Sequence, residues 1–163
     1  MKTLYLFRHA KSNWELFSSD KERDILPSGI KKTEKVAQFL ANKIKVNEFS
    51  LPEIGFSSPA KRAYKTAKII TSSLHFPLEI KEELYTFSMQ DLEKIVKSFD
   101  NKYNKIAIFG HNSAFTDFIN KFGNKVIFNL PTSAVAIIEF KTDSWSEISK
   151  GNTTQIIIPK ELN

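Results

Sequence analysis

The sequence contains no cysteine, which excludes a disulfide scaffold, a thiolate nucleophile and any cysteine-ligated zinc or iron–sulfur site. It also lacks an apolar run approaching the ~20 residues of a membrane-spanning helix. The apolar stretch before Arg8 is too short for a secretory leader. We therefore expect a cytoplasmic protein that makes no contact with a membrane. The 163 residues, 41% hydrophobic and 12% aromatic, suffice for one folded domain over residues 1–163.

Arginine is also scarce. The chain has 24 basic residues and a net charge of +6, but only three of the basic residues are arginines: Arg8, Arg23 and Arg62. The lysines are interleaved with Asp and Glu, whereas a nucleic-acid interface would cluster them on one face. We therefore expect a solvated, lysine-rich surface and no nucleic-acid partner. The positions of the few arginines are informative, because a guanidinium is the better fork for a bound phosphate or carboxylate.

Short apolar segments alternate with amphipathic ones along the chain. This alternation predicts a three-layer α/β/α sandwich around a mainly parallel sheet. The short polar linker between the last two predicted strands favours an antiparallel edge. Residues 11–26 are expected to form a long loop with one helical turn. The predicted strands cover about 4–7, 53–57, 78–82, 105–109, 134–140 and 153–158, and the predicted helices cover about 27–44, 58–74, 89–99 and 113–122.

Four cationic or imidazole side chains follow the predicted strands. In an open α/β sheet, ligands bind outside the carboxyl ends of the strands. Arg8 and His9 follow the first strand, Arg62 lies about one turn into the helix after the second, and His111 follows the fourth. Each alone has an ordinary structural explanation, but a dense cationic cluster repels itself unless an anion or a function holds it together. We therefore expect the four to converge in one shallow pocket. His75, near a helix C-terminus, is interpreted as a surface residue.

Two arginines, two histidines and a helix N-terminus suit a tetrahedral dianion such as a phosphoryl group. A neutral imidazole can attack phosphorus and carry the group covalently, and adjacent guanidinium charges favour its neutral form. The sequence lacks the clustered carboxylates of a two-metal phosphatase. It also lacks the glycine-rich loop of a nucleoside triphosphate site. We therefore expect no metal and no other cofactor.

Three segments carry a family resemblance. Arg8-His9-Ala10 resembles the Arg-His-Gly/Ala signature of the histidine phosphatase (phosphoglycerate mutase-like) superfamily, the segment 57–67 resembles its Ser-Ser-Pro-x-x-Arg-Ala-x-x-Thr-Ala motif, and the segment 106–112 resembles its third motif. Their order and spacing match, and the resemblance covers residues 3 to about 140. Within the superfamily the chain is most similar to the SixA-like phosphohistidine phosphatase branch. Its short length, Ala10 after His9, the Gly-His-Asn sequence and the Leu-Pro-Thr-Ser segment 130–133 all point to that branch.

The resemblance implies a phosphoglycerate mutase-like fold and assigns roles to individual residues. His9 would be the phosphorylated nucleophile, and Arg8, Arg62 and His111 would complete the catalytic phosphate pocket. Asn112 and Ser12 lie beside these motifs and are expected to line the phosphate-binding site.

The chain departs from the family pattern at the proton donor. Mutases and many phosphomonoesterases of the superfamily use a Glu in a Leu-x-Glu segment, where this chain has Leu84-Tyr85-Thr86. General acid catalysis contributes about 100- to 10,000-fold, so its absence argues against a mutase. It favours a leaving group that needs less help, such as protonated phosphohistidine or an aryl phosphate. Other carboxylates remain candidates for the donor: Glu15, Asp20, Glu22, Asp24, Glu82 and Glu83.

We therefore expect a metal-independent phosphatase that works through a phosphohistidine intermediate on His9 and dephosphorylates phosphohistidine on a protein. A small-molecule phosphomonoesterase of the same superfamily remains an alternative. A catalytically idle module that binds phosphate or a phosphoprotein is another. A monomer is expected, because no heptad or sustained apolar seam is visible.

Overall fold

The computed structural model describes residues 1–14 and 19–163. The bounds of its elements agree with the predicted ones to within a few residues. In the described residues the strands are β1 (Lys2–Arg8), β2 (Ile54–Ser57), β3 (Leu78–Ile80), β4 (Lys105–Gly110), β5 (Val135–Phe140) and β6 (Asn152–Ile157), the helices are α1 (Pro27–Lys45), α2 (Lys61–Leu74), α3 (Met89–Lys97) and α4 (Ala114–Phe122), and short 3-10 turns lie at Asp20–Glu22, Glu82–Leu84, Trp145–Glu147 and Pro159–Glu161.

The strands form one sheet in the order β3-β2-β4-β1-β5-β6. The pairs β1–β4, β2–β4 and β2–β3 are parallel, whereas β5 runs antiparallel to both β1 and β6. The short connection between the last two strands leaves no room for a helical crossover, which explains the antiparallel pairing. The predicted α/β fold, mainly parallel with an antiparallel edge, is confirmed.

Two hydrophobic cores lie on opposite faces of the sheet. Along β1, Leu4 and Leu6 belong to the core under α3 and α4, and Tyr5 and Phe7 belong to the core under α1 and α2. Successive side chains of a strand point to opposite faces, so a strand covered on both sides needs a continuous apolar run. The three layers follow from this pattern.

The structure corrects the predicted start of α2. Ser58 was expected to cap a helix that begins there, but the helix begins at Lys61 with Ala60 at its N-cap position and no capping side chain. The Ser58 hydroxyl contacts the His111 ring at 2.8 Å and also accepts a hydrogen bond from the Ala60 amide at 3.2 Å. Ser58 therefore keeps one local backbone contact before the helix and adds a contact with a side chain 53 residues away along the chain.

Two other elements end earlier than predicted. The third strand ends at Ile80, and Glu82 lies in a 3-10 turn that follows it. Helix α3 ends at Lys97, two residues before Phe99. None of the helices within the described ranges is long and apolar enough to cross a membrane.

Candidate active site

Strands β1, β2 and β4 end at the same level of the sheet. In the pairing register Arg8 lies opposite Gly110 and Ser57 lies opposite Phe109, so the residues that follow these strands emerge together. They open onto a cavity of about 310 Å³. The described residues lining it are Arg8, His9, Lys11, Ser12, Trp14, Asp20, Arg23, Arg62, Phe87, Asn112 and Thr132.

His9 presents a neutral imidazole to this cavity. Its Nδ1 lies 2.7 Å from the Ala10 carbonyl oxygen, which can only accept, so Nδ1 carries the proton and Nε2 keeps its lone pair. The side chain is only 8% exposed. Burial chiefly, with help from the charges of Arg62 and Arg8 and against the Ala10 hydrogen bond, lowers the pKa of His9 to about 4. A neutral ring with a free Nε2 is the form that a nucleophile requires.

Thr66 ties the backbone after His9 to the helix that carries Arg62. Its hydroxyl accepts a hydrogen bond from the Ala10 amide at 2.9 Å and donates one to the Arg62 carbonyl at 2.7 Å. Thr66 lies one turn after Arg62 and therefore on the same face of α2. The position of His9 relative to Arg62 is thereby set by α2.

His111 packs beside His9 but does not line the cavity. The two ring centroids are 5.4 Å apart, and the His111 side chain is 1% exposed. Arg62 Nη2 donates to His111 Nδ1 at 3.4 Å, so His111 Nε2 carries the proton and donates to the Ser58 hydroxyl. Burial is the main cause that lowers the pKa of His111 to about 3, and the electrostatic effects of His9 and Arg62 lower it further. His111 therefore supports Arg62 as a neutral acceptor.

Asp20 binds the guanidinium group of Arg62. Arg62 Nη1 donates to the Asp20 carbonyl at 2.6 Å and Nη2 to the Asp20 carboxylate at 3.0 Å. Arg23 and the Tyr85 hydroxyl donate to the same carboxylate. Partial burial raises the pKa of Asp20, but the hydrogen bonds from Tyr85 and Arg62 outweigh it and bring the pKa to about 2. The group is an anion at neutral pH and bridges two arginines.

Arg23 is the functional candidate that sequence reasoning missed. Residues 11–13 pair with residues 24–26 through an isolated bridge between Ser12 and Ile25 and through a 2.8 Å hydrogen bond from the Leu26 amide to the Lys11 carbonyl. This pairing places the buried Arg23 side chain against the Ser12 hydroxyl. The scarcity of arginine was the available signal, since all three arginines of the chain line the cavity.

Two of the arginines that line the cavity have a buried Nε without a hydrogen-bond partner among the described residues. These two atoms are Nε of Arg8 and Nε of Arg62. The other contact of Arg8 is a 2.8 Å bond from Nη1 to the Leu130 carbonyl. An unpaired buried donor costs about 1–3 kcal/mol, and more when it is charged, so these two positions are unfavourable for stability as they stand.

The two flanking residues predicted to bind phosphate are already engaged. The Asn112 amide donates to the Asn129 side chain at 2.7 Å and accepts from the Thr116 amide and hydroxyl. Ser12 contacts Arg23. Both line the cavity, but their described contacts support neighbouring residues.

Most of the carboxylates considered as proton donors do not line the cavity. Asp20 is the one carboxylate that lines the cavity in the described part of the chain. Asp24 forms salt bridges with two lysines. The side chains of Glu22, Glu82 and Glu83 are exposed. The Thr86 hydroxyl donates to Asp91. Glu15 lies outside the described residues.

Within residues 1–14 and 19–163, no cluster of three or more His, Asp or Glu side chains is placed to hold a metal ion. The expectation of a metal-independent reaction stays a prediction, which the chelator experiment below tests.

The fold and the cavity define an α/β protein with a cationic, histidine-containing pocket at the carboxyl ends of its parallel strands. The chain belongs to the histidine phosphatase superfamily (branch 1), whose family model matches residues 4–117.

The chain also resembles individual proteins. Over 136 residues it is 31% identical to a Hydrogenobacter thermophilus protein provisionally named phosphoserine phosphatase 2, covering 81% of this chain and 58% of that protein. The fold matches a SixA protein of Agrobacterium tumefaciens, provisionally assigned as a phosphohistidine phosphatase (TM-score 0.81, 18% identity, 97% and 98% of the two chains). It also matches the protein histidine phosphatase SixA complexed with tungstate (TM-score 0.76, 16% identity, 97% of each chain).

Proposed function

We propose that the protein is a metal-independent phosphatase in which His9 takes up the phosphoryl group. The observation that carries this proposal is a neutral His9 ring, with a lone pair on Nε2, in a cavity that is also lined by Arg8, Arg23 and Arg62. A site that only bound phosphate would need the arginines but not the neutral imidazole. Tungstate is a tetrahedral oxyanion like phosphate, and its presence in a SixA structure of the same fold supports the proposal.

In the first step, His9 Nε2 forms a bond to phosphorus while the bond from phosphorus to the leaving group breaks. The leaving group keeps the electron pair of that bond. The His9 ring becomes positively charged, and its Nδ1–H bond to the Ala10 carbonyl stabilises that charge. The guanidinium groups of Arg8, Arg62 and Arg23 neutralise the phosphoryl oxygens in the transition state. In the second step, water attacks phosphorus and releases phosphate and neutral His9.

The proposed substrate is phosphohistidine on a protein. Asp20 is held as an anion by three donors and therefore has no proton to give in the free protein. Thr86, in place of the family's Glu, is bonded to Asp91. A protonated phosphohistidine leaves as a neutral imidazole without a further proton, so it matches a site that lacks an acid.

A small-molecule phosphomonoesterase is the second candidate. The observation in its favour is the similarity to the protein named phosphoserine phosphatase 2. An alkoxide leaving group would need Asp20 to be released from the arginines and protonated before it could donate. This additional step makes a phosphomonoester the slower substrate.

The test compares p-nitrophenyl phosphate with a phosphohistidine-carrying protein, both with chelator present. We expect wild-type turnover of both and at least about 1,000-fold loss in His9→Ala, because the nucleophile is absent. The exposed His75 provides the matched control, and His75→Ala should retain activity. Phosphate binding without turnover in the wild type would instead support an idle binding module.

A further inference from the structure

The cavity is larger than its phosphoryl-binding part. The arginines and His9 account for one portion of the described lining, and the remainder includes Lys11, Trp14, Phe87 and Thr132. Trp14 is 78% exposed and Phe87 is 49% exposed. Two large aromatic side chains with this much exposure at one cavity are uncommon, since such surface is ordinarily buried.

Trp14 rests on a residue of the site itself. The Arg23 guanidinium carbon lies 3.3 Å from the centroid of the Trp14 ring, a close cation–π contact. Arg23 is in turn held by Asp20, Ser12 and the Asn13 carbonyl. One face of the indole is therefore covered by a fixed plane, and the large exposed fraction leaves the other face open.

Phe87 is anchored in a similar way. Its ring centroid lies 5.2 Å from that of His111 and 5.5 Å from that of Tyr85, in an edge contact with the latter. Tyr85 donates its hydroxyl to Asp20. The position of Phe87 thus depends on the same residues that hold the phosphoryl-binding arginines.

We propose that Trp14 and Phe87 form a leaving-group subsite that selects a flat aromatic ring. This inference rests on the proposed function and narrows its substrate class to phosphorylated imidazole or phenol rings. As Nε2 of His9 bonds to phosphorus, the ring departs with the electron pair of the broken bond, as neutral imidazole from protonated phosphohistidine or as phenolate from an aryl phosphate. Stacking and edge contacts favour such a ring over an aliphatic group of similar size.

The first experiment measures kcat/KM for p-nitrophenyl phosphate and for acetyl phosphate, which is activated but has no ring. In Trp14→Leu and Phe87→Leu we expect the ratio of the two values to fall about 3- to 10-fold, mainly through KM for the aromatic substrate. Trp14→Phe should restore most of the ratio, because it restores a ring. Phe128→Leu is the matched control, since Phe128 is fully exposed and does not line the described cavity.

A parallel fall for both substrates would overturn the inference, because it would show that Trp14 only supports Arg23. An unchanged ratio would overturn it as well. A second measurement is independent of turnover: calorimetric affinities of phenylphosphonate and methylphosphonate. The wild type should prefer the phenyl compound and Trp14→Leu should lose that preference, even if the proposed phosphatase activity fails. Phosphohistidine and phosphotyrosine peptides then distinguish the two sources of the ring.

Discussion

At the scale of single residues, the Asp20 carboxylate bridges two of the arginines that line the cavity. It accepts from Arg62 at 3.0 Å and from Arg23 at 3.0 Å. A phosphoryl oxygen that binds Arg62 has to replace this carboxylate or approach beside its charge. We therefore expect Asp20 to compete with a phosphoryl ligand for Arg62.

We predict that Asp20→Asn binds inorganic phosphate about 5-fold more tightly than the wild type, because a partly exposed ion pair contributes about 1 kcal/mol. Titration calorimetry, or the inhibition constant of phosphate, measures this effect. Asp24→Asn is the matched control, since Asp24 pairs with Lys61 and Lys65 outside the cavity lining. Equal or weaker binding by the Asn variant would show that Asp20 does not compete.

At the scale of elements, the approach of α1 to the chain after β1 depends on Gly29. A Cβ atom there would lie 2.8 Å from the Lys11 carbonyl oxygen and 3.2 Å from the Ala10 Cβ. The carbonyl belongs to the backbone just after His9 and already accepts from the Leu26 amide at 2.8 Å, so it cannot move away freely. The absence of a side chain at Gly29 lets the helix support the nucleophile's loop.

We predict that Gly29→Ala destabilises the protein by about 1–2 kcal/mol and lowers kcat. The helix gains up to about 1 kcal/mol from alanine, but steric overlap with fixed backbone costs about 1–3 kcal/mol and prevails when the carbonyl cannot shift. Urea unfolding and p-nitrophenyl phosphate turnover check both effects. Ser28→Ala, at the exposed neighbouring position, should change stability by less than about 0.5 kcal/mol. A more stable Gly29→Ala protein would mean that the helix can move away from Lys11.

At the scale of the whole molecule, the two buried histidines make stability depend on pH. The pKa values of His9 and His111 are about 4 and about 3 in the folded state, against about 6.5 for an unperturbed histidine. Between these values the unfolded chain binds more protons, so acid favours unfolding. The contribution of the two neutral rings to the free energy of unfolding is fully present above pH 6.5 and is lost as the pH falls towards 4.

We predict that the free energy of unfolding falls by about 4 kcal/mol between pH 7 and pH 5, with a similar contribution from each of the two rings. Denaturant unfolding at a series of pH values measures the slope. The double variant His9→Gln/His111→Gln should have a flatter dependence over the same interval. A wild-type curve that is flat to pH 5 would contradict the neutral, buried state of the two rings.

The sequence alone determined the layers of the fold and indicated four candidate site residues. Short continuous apolar runs predicted the strands and helical apolar spacing predicted the helices, because burial of both faces of a strand or one face of a helix requires these patterns. Parallel strands end at one edge of a sheet, so Arg8, His9, Arg62 and His111 could be placed at that edge from their order in the chain alone. Expected roles for these residues came from the family motifs.

Tertiary structure decided which side chains touch. The contact between Asp20 and Tyr85 joins residues 65 apart in sequence, and Arg23 reaches the cavity through pairing between residues 11–13 and 24–26. Ser58 follows a local capping pattern, yet its hydroxyl binds His111. Local patterns carry no information on such contacts, because their energies depend on groups that only folding brings within hydrogen-bond distance.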